Sequence, residues 1–517
     1  MKLQELLTGI ETIALSSAGS PAETEIAAVC YDSRQVTPGA LFVAIRGEKT
    51  DGNRFVADAI ARGARAIASE LPRPESAAPA GAIPREVLWV QVRNARQTLA
   101  GAAANFYGRP AHSLRLVGVT GTNGKTTTTY LIDSILREVD PHCGVLGTIL
   151  YRTPKGAVTA RNTTPESLEL QRFLAEVRDG GGRHAALEVS SHALAMDRVW
   201  GCPFATAVFT NLTRDHLDFH KTMEEYFAAK RKLFEGTGAG APATGVVNAD
   251  DPYARELVGL AGRTLTYGVQ NGADIVARKF QLTFAGLEFS AQTPAGKVEV
   301  KSSLVGRTNV YNLLAAVGAG LSLGLPIDVI ERGIRNLAAV PGRFERVDEG
   351  QPFLVVVDYA HTDDALRNLL RTARELVKEG RIITLFGCGG ERDRTKRPLM
   401  GEAAGSLSDL VVLTSDNPRG EDPLLIINDA LVGLQKARAK YVIEADRRHA
   451  IELALSEARA GDIVLLAGKG HETYQVLKDV TIDFDDRQVA REVLRSLGYG
   501  KNSGEPPQSS SPGIRKG

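Results

Sequence analysis

The sequence predicts an α/β chain of three domains, and three observations carry that expectation. Apolar runs of four to five residues, each ending in polar residues, alternate with stretches of helical spacing, the rhythm of parallel sheets flanked by helices. One such run, Leu114-Arg115-Leu116-Val117-Gly118-Val119, opens into a glycine loop carrying Gly124-Lys125-Thr126 and then a helical pattern from near Thr127. The 517 residues also exceed one core, since single cores stop growing near about 250–300 residues. The expected layout is a small α/β N-terminal domain at 1–93 and a central mononucleotide-binding parallel sheet with appended antiparallel strands at 94–340. A Rossmann-like C-terminal domain at 341–500 and a disordered tail at 501–517 follow.

The elements fall in order. Before residue 93, Leu41-Phe42-Val43-Ala44-Ile45 reads as a buried strand, Phe55 to Ala66 as an alanine-rich helix, and Leu71 to Pro84 as a Pro/Ala loop. Beyond the glycine loop, His184–Leu187, Ala205–Phe209 and Gly245–Val247 have the composition of buried parallel strands. Phe280–Phe284 and Lys297–Val300 alternate with period two, which predicts antiparallel strands on that sheet. From Pro341 four strand-like runs follow: Leu354–Val357, Ile382–Phe386, Leu410–Leu413 and Ile463–Leu466. Between the first two, Ala365, Leu366, Leu369, Leu370, Ala373 and Leu376 keep helical spacing. The tail from Asn502 is rich in Ser, Pro and Gly.

Bulk properties exclude several classes. With 43% apolar and 24% charged residues and a net charge of +1, no field draws the chain to nucleic acid or anionic lipid. Cys30, Cys143, Cys202 and Cys388 are scattered without a C-x-x-C pair, against a zinc ribbon or disulfide framework and in keeping with a reducing compartment. Glu5 and Glu11 interrupt the place of a signal peptide's apolar core, and no run of about 18 apolar residues exists. The expectation is a cytoplasmic protein with no membrane span.

The glycine loop is the organising motif. Backbone N–H groups freed by Gly121, Thr122, Asn123 and Gly124, with a helix N-terminus behind them, converge on an anion. Lys125 is placed to reach β/γ-phosphates and the Thr126 hydroxyl to hold Mg²⁺. Val119 stands where the full pattern has glycine, between Gly118 and Gly121. An ordinary Gly-rich turn has no need of Lys-Thr. In open parallel sheets ligands bind beyond the strands' carboxyl ends. Glu188-Val189-Ser190-Ser191-His192 and Thr210-Asn211-Leu212-Thr213-Arg214-Asp215-His216 therefore share the edge of Lys125 and Thr126. A Glu and a His there can hold a cation with phosphates completing its shell.

Seven ordered motifs then resemble the ATP-dependent Mur ligases, which assemble the peptide stem of the cell-wall precursor. They are Gly121–Thr127, Glu188–His192, Thr210–Asp218, Asn309–Ala316, Pro341–Glu345, Asp358–His361 and Gly468–Glu472. The likeness covers all but the tail and is greatest to members adding the third residue to UDP-N-acetylmuramoyl-L-alanyl-D-glutamate. It implies that ATP phosphorylates the D-glutamyl γ-carboxylate and that an amine then displaces phosphate from the acyl phosphate. Lys125, Mg²⁺ and Arg343 absorb the anionic charge. It implies two Mg²⁺, one near Thr126 and Glu188 and a second near Glu188 and His216. Lys230 matches a carbamylated lysine (N6-carboxylysine, from CO₂) that orients the second ion. Taken alone, Lys230 reads as the solvated face of a basic helix beside Arg231 and Lys232.

The resemblance assigns further residues. Thr127, Asn309 and Asn312 join the ATP site. Tyr31, Ser33, Glu48, Lys49 and Thr50 fall where the family holds UDP, and the N-terminal domain becomes UDP-binding. Asn162, Thr163, Thr164, Ser190, Met196 and Arg198 fall at the muramoyl-dipeptide, with Met196 in place of a more usual glutamine. Asp416-Asn417-Pro418-Arg419 resembles the motif of meso-diaminopimelate-adding members, since an arginine fork binds that substrate's extra carboxylate and lysine leaves it unpaired. Arg392, Gly468 and Glu472 are further diaminopimelate contacts. Asp363 departs from a usual proline, which would only loosen a turn. The implied enzyme is a monomer acting on small molecules. The rival readings are an L-lysine-adding ligase, a folylpolyglutamate synthetase-like ligase, whose kind lacks the UDP-binding domain, and a phosphate-loop switch.

Overall fold

The computed structural model describes residues 1–16, 20–47, 50–74, 83–270, 272–283, 285–377 and 379–500. Glu48, Lys49, Phe284 and the Ser/Pro-rich tail lie outside the described residues. The chain divides into two compact units, the first Met1–Val340 and the second from Pro341 onward.

The first unit holds two sheets. The smaller has five strands in the order Thr12–Ser16, Leu88–Val92, Ala66–Ser69, Ala40–Val43 and Ala28–Cys30, parallel apart from the first pair. The helix expected over Phe55–Ala66 is shorter, Val56–Ala61 after a 3₁₀ turn at Gly52–Phe55. Gly63 follows it at φ 96° with Pro38 against its α-carbon, so the chain turns out of the helix and Ala66 begins a strand. Helix Ala95–Phe106 is capped by the Asn94 side chain, which accepts from the Arg96 and Gln97 N–H groups. Its Ala95, Leu99 and Ala102 pack into one core with Leu41, Val43 and Val90.

The larger sheet has eleven strands. Arg115–Thr120, which leads into the glycine loop, lies between His184–Glu188 and Phe204–Phe209, all three parallel. Register places Glu188 beside Val119 and Phe209 beside Thr120, so the polar stretches after all three strands emerge at one edge. As the alternation predicts, Phe280 and Lys297–Val300 lie on strands of antiparallel pairs, Ile275–Thr283 and Gly296–Ser302, and Gly286–Thr293, not marked by the pattern, runs antiparallel between them at one side of the sheet. A second antiparallel hairpin, Leu150–Thr153 with Gly156–Thr159, extends the other. One face carries helices Lys125–Arg137 and Thr308–Ser322, packed through Leu131, Ile132, Ile135, Leu313, Leu314 and Val317. The opposite face carries Ser167–Asp179 and Met223–Glu235.

The second unit is doubly wound. Its main sheet has six strands in the order Glu345–Val347, Leu354–Asp358, Ile463–Ala467, Ile382–Phe386, Leu410–Leu413, Tyr441–Ile443, with only the first pair antiparallel. Separate apolar cores line the two faces. Asp363 opens helix Asp363–Leu376, and Thr362 before it accepts the Ala365 N–H at 3.2 Å. An acidic first residue suits the positive end of a helix, so this departure sits in a capped turn.

Candidate active site

Close packing that only glycine permits shapes the phosphate loop. Gly121 has φ 144° and Gly124 has φ 85°, and a Cβ would lie 1.9 Å from Thr210 Oγ1 at the first and 2.3 Å from Asn312 Oδ1 at the second. The helix begins at Lys125, two residues before the sequence pattern indicates, because Gly124 takes the left-handed turn that starts it. The segment 210–213 braces the loop. The Asn211 side chain accepts the Asn123 N–H at 2.9 Å, the Asn211 carbonyl accepts the Thr122 N–H at 2.8 Å, and Thr210 Oγ1 donates to the Asn123 carbonyl at 2.7 Å. Asn312 Nδ2 donates to Asn309 Oδ1 at 2.8 Å, and Asn312 Oδ1 accepts from Thr128 Oγ1 at 3.3 Å. Both asparagines thus stand on helix Thr308–Ser322 beside the loop.

Glu188 is fully buried at the end of its strand. Its carboxylate accepts from Thr126 Oγ1 at 3.2 Å, from the Thr148 N–H at 2.8 Å and from Thr148 Oγ1 at 2.9 Å. Gly147 makes room, since a Cβ there would meet Glu188 Oε1 at 2.2 Å. A carboxylate and a hydroxyl within hydrogen-bond distance are the hard oxygen donors that suit Mg²⁺. Among the described residues no group of three or more His, Cys, Asp or Glu could hold a metal. Thr126 and Glu188 set one such hydroxyl and one such carboxylate side by side.

Lys230 is buried, at 1% exposure, on helix Met223–Glu235. Its Nζ donates to the Gly121 carbonyl at 2.7 Å and sits 4.4 Å from the Tyr226 ring centroid. Burial, then the charge of Lys125, push its pKa well below that of an ordinary lysine, against a weaker pull from Asp215. His216 is half-buried with φ 55° at the start of a short helix. Desolvation, helped by the charges of His192, Lys125 and Lys230, pushes its pKa down to about 3, although Asp215 opposes this. Tyr226, absent from the sequence reading, ties the cluster together: its hydroxyl meets Thr122 Oγ1 at 3.1 Å and its ring faces His216 and His220.

The residues matched to the sugar-dipeptide form a chain of contacts on the first unit. Thr164 Oγ1 donates to the Glu188 carbonyl at 2.8 Å and accepts the Ser190 N–H at 3.1 Å. Thr163 meets Thr148 through their hydroxyls at 3.1 Å, and the Asn162 carbonyl accepts the Tyr151 hydroxyl. Arg198 bonds Glu166 at 2.9 Å, the Thr164 carbonyl at 3.0 Å and Met196 Sδ at 3.5 Å. Ser33 is buried in its turn, Tyr31 donates to Glu169 at 3.2 Å, and Thr50 closes a turn by accepting the Gly47 N–H.

The second unit gathers its own constellation at the carboxyl ends of its strands. Arg343 lies over the Tyr359 ring at 4.6 Å, beside Asp358, whose carboxyl burial pushes up against the pull of Arg343. Gly342, at φ 65°, would drive a Cβ to within 2.0 Å of the His471 nitrogen, so this turn and the 468–472 loop interlock. Asn417 Nδ2 donates to Glu472 Oε2 at 2.8 Å, and Asp416 and Gly468 lie alongside. A Cβ on Gly389 would stand 3.1 Å from Arg419 Nη1 and 3.8 Å from Arg392 Cγ, so both arginines flank one loop. Arg419 itself, after Pro418, has φ 53° and donates to the Gly390 carbonyl at 2.8 Å. His216, Phe344, Glu391 and Arg419 all take the left-handed backbone that non-glycine residues seldom adopt, each at or next to a candidate residue.

Each unit thus presents a candidate loop at its own sheet's carboxyl edge, where open α/β sheets bind ligands: a phosphate loop in the first and an acid–amide–arginine loop in the second. Three family patterns match the chain: "Mur ligase family, catalytic domain" at 25–107, "Mur ligase middle domain" at 119–320 and "Mur ligase, glutamate ligase domain" at 342–470. The UDP-N-acetylmuramoyl-L-alanyl-D-glutamate--2,6-diaminopimelate ligase of Solibacter usitatus (strain Ellin6076) is 56% identical over 502 residues, covering 96% of this chain and 99% of that one. A solved structure of a ligase with the same name superposes with TM-score 0.65 at 34% identity, covering 96% and 99%. The MurF ligase of Thermotoga maritima, solved in complex with ADP, shares the fold at 22% identity and TM-score 0.59, covering 92% and 97%. The chain belongs to the Mur ligase family.

Proposed function

We propose that this chain is an ATP-dependent amide ligase. It joins meso-2,6-diaminopimelate to the D-glutamyl γ-carboxylate of UDP-N-acetylmuramoyl-L-alanyl-D-glutamate in cytoplasmic synthesis of the peptidoglycan precursor, and so serves cell shape and division. The observation that carries the reading is the pair of arginines, Arg392 and Arg419, flanking the loop beside Asp416, Asn417 and Glu472. The names of its relatives point the same way. Among the described residues no helix is long and apolar enough to cross a membrane.

Each residue then has a task. The loop from Gly121 to Thr127, with Asn309 and Asn312, binds ATP, and Lys125 and Arg343 counter the charge of the transferring phosphoryl group. Thr126, Glu188, His216 and carbamylated Lys230 would hold two Mg²⁺, which supply further neutralisation of the phosphate oxygens when bound. A buried lysine with a depressed pKa provides the neutral amine that carbamylation requires. The segment 1–93 takes the UDP end through Tyr31, Ser33, Glu48, Lys49 and Thr50. Within 94–340, Asn162, Thr163, Thr164, Ser190, Met196 and Arg198 take the muramoyl-dipeptide. In 341–500, Arg419 and Arg392 take the distal carboxylate of diaminopimelate while Asp416, Asn417, Pro418, Gly468 and Glu472 shape the pocket for its ammonium end. The chain acts as a monomer.

The test is phosphate release with ATP, Mg²⁺ and the UDP-sugar dipeptide, comparing meso-diaminopimelate with L-lysine. Turnover with diaminopimelate well above lysine is expected. Equal or greater turnover with lysine overturns the specificity, and none with either overturns the function.

A further inference from the structure

We infer that Lys469 is a positioning residue of the amino-acid site, a buried cation that holds Asp416, Asn417 and Glu472 in one constellation. The inference rests on the reading of that loop as the diaminopimelate site. Lys469 lies in Gly468-Lys469-Gly470 at 0% exposure, and it and Lys230 are the two buried lysines among the described residues. Gly468 at φ 115° and Gly470 at φ 52° let the loop turn on both sides of it, and a Cβ on Gly470 would strike Tyr359 Cβ at 2.6 Å. Its Nζ then meets three acceptors, Asn417 Oδ1 at 3.2 Å, Glu472 Oε2 at 3.3 Å and Asp416 Oδ1 at 3.4 Å. An ammonium has three donors, so one buried side chain engages all three neighbours at once.

The charge arithmetic gives this a purpose. Two carboxylates and one ammonium leave a single negative charge, which matches one incoming ammonium. Without Lys469, Asp416 and Glu472 would repel in a desolvated site, and one would take up a proton. Glu472 is the group that yields: burial pushes its pKa up, Asp416 adds to that, and Lys469 opposes both. Asp416, Lys469, Tyr359, Tyr474 and the Arg447 guanidinium, itself paired with Asp486, are the titratable or charged groups that act on it. The effect extends along the chain. Asn417 Oδ1 also accepts the Val476 N–H at 2.9 Å and the Arg419 N–H donates to the Val476 carbonyl at 3.1 Å, so the lysine anchors the segment that presents Arg419.

Steady-state turnover of the full chain, wild type against Lys469→Met and Lys469→Arg, tests the role. Lys469→Met is expected to raise KM for meso-diaminopimelate by about 30-fold or more, leaving KM for ATP and the sugar dipeptide within about threefold. It should also move the acidic limb of kcat/KM for diaminopimelate up by about one pH unit, because protonated Glu472 no longer receives the ammonium. Lys469→Arg, which keeps the cation, should hold that limb near its wild-type position. A folded Lys469→Met with an unmoved limb, or with all three KM values rising together, overturns the inference while the function stands. If Lys469→Met loses its fold, adding Asp416→Asn restores the charge count and should recover folding; failure to recover it also overturns the role. Wild type inactive with every amino acid overturns the functional reading and this inference with it.

Discussion

Lys230 and Lys125 share one acceptor: their Nζ atoms donate to the Gly121 carbonyl at 2.7 Å and 3.0 Å. Two ammonium groups on one carbonyl oxygen repel, and only one of them is fully enclosed. The enclosed one therefore gives up its proton first, which is the condition for reaction with CO₂. Lys230→Met is expected to lower turnover by about 10²–10³ while nucleotide affinity stays near wild type, the size of effect seen when one electrostatic stabiliser is removed. Turnover and a separate ADP titration check this. Degassed, bicarbonate-depleted buffer should likewise slow the wild type and leave the variant's residual rate unchanged.

A glycine prediction follows from the loop's packing. Gly124→Ala places a methyl 2.3 Å from Asn312 Oδ1 at a φ of 85°, so either the loop or the helix carrying Asn309 and Asn312 must shift. Gly156→Ala has a φ of 139°, further from the left-handed region than that of Gly124, but nothing within 4 Å of its Cβ. Calorimetric titration with ATP should show about a 100-fold loss of affinity for the first and little change for the second, which separates contact at the site from backbone strain.

The sequence made the strand-end chemistry legible because parallel sheets send their polar residues to one edge, and the glycine loop marked which edge. Thr126 and Glu188 do meet there. The N-terminal sheet was less legible, since Ala66–Ser69 is a strand built from alanine, isoleucine and serine that carries on from a helix-like alanine run. Lys230 alone reads as a solvated residue beside Arg231 and Lys232. Yet Tyr226 and Phe234 lie four residues to either side, and that i±4 spacing puts Lys230 in the buried stripe. Lys469 and Tyr226 were missed for a different reason: their importance lies in what they touch across the fold, which spacing along the chain does not reveal.

Substrate choice should follow Arg419. Its guanidinium donates to the Gly390 carbonyl at 2.8 Å and stands beside Arg392 across Gly389. On the proposed reading, replacing it would remove a bidentate partner for the second carboxylate of diaminopimelate, which lysine lacks. Arg419→Ala is expected to cut kcat/KM for meso-diaminopimelate by about 10²-fold or more and to shrink its advantage over L-lysine, with ATP affinity unaltered. Parallel phosphate-release assays with the two amino acids and a nucleotide titration give all three quantities.

The last prediction concerns the scaffold beneath that site. Arg447 and Asp486 are both fully buried and form a two-pronged pair at 2.8 Å and 2.6 Å. The same guanidinium donates to the Ala467 carbonyl at 3.1 Å and the Ser415 carbonyl at 3.4 Å, joining the carboxyl ends of the strands that carry Gly468 and Asp416. Removing one partner leaves the other charge buried without its counter-ion, a loss of about 3–5 kcal/mol. Asp486→Ala should therefore lower the denaturant midpoint of the second unit's unfolding transition, followed by circular dichroism, while the first unit's transition stays where it is. Removing both charges with Arg447→Met and Asp486→Leu should recover much of that midpoint, because an apolar replacement leaves no buried charge unpaired. It should not recover diaminopimelate turnover, since the bonds to Ser415 and Ala467 that set the strand ends are then gone. Recovery of both would mean that the pair serves stability alone.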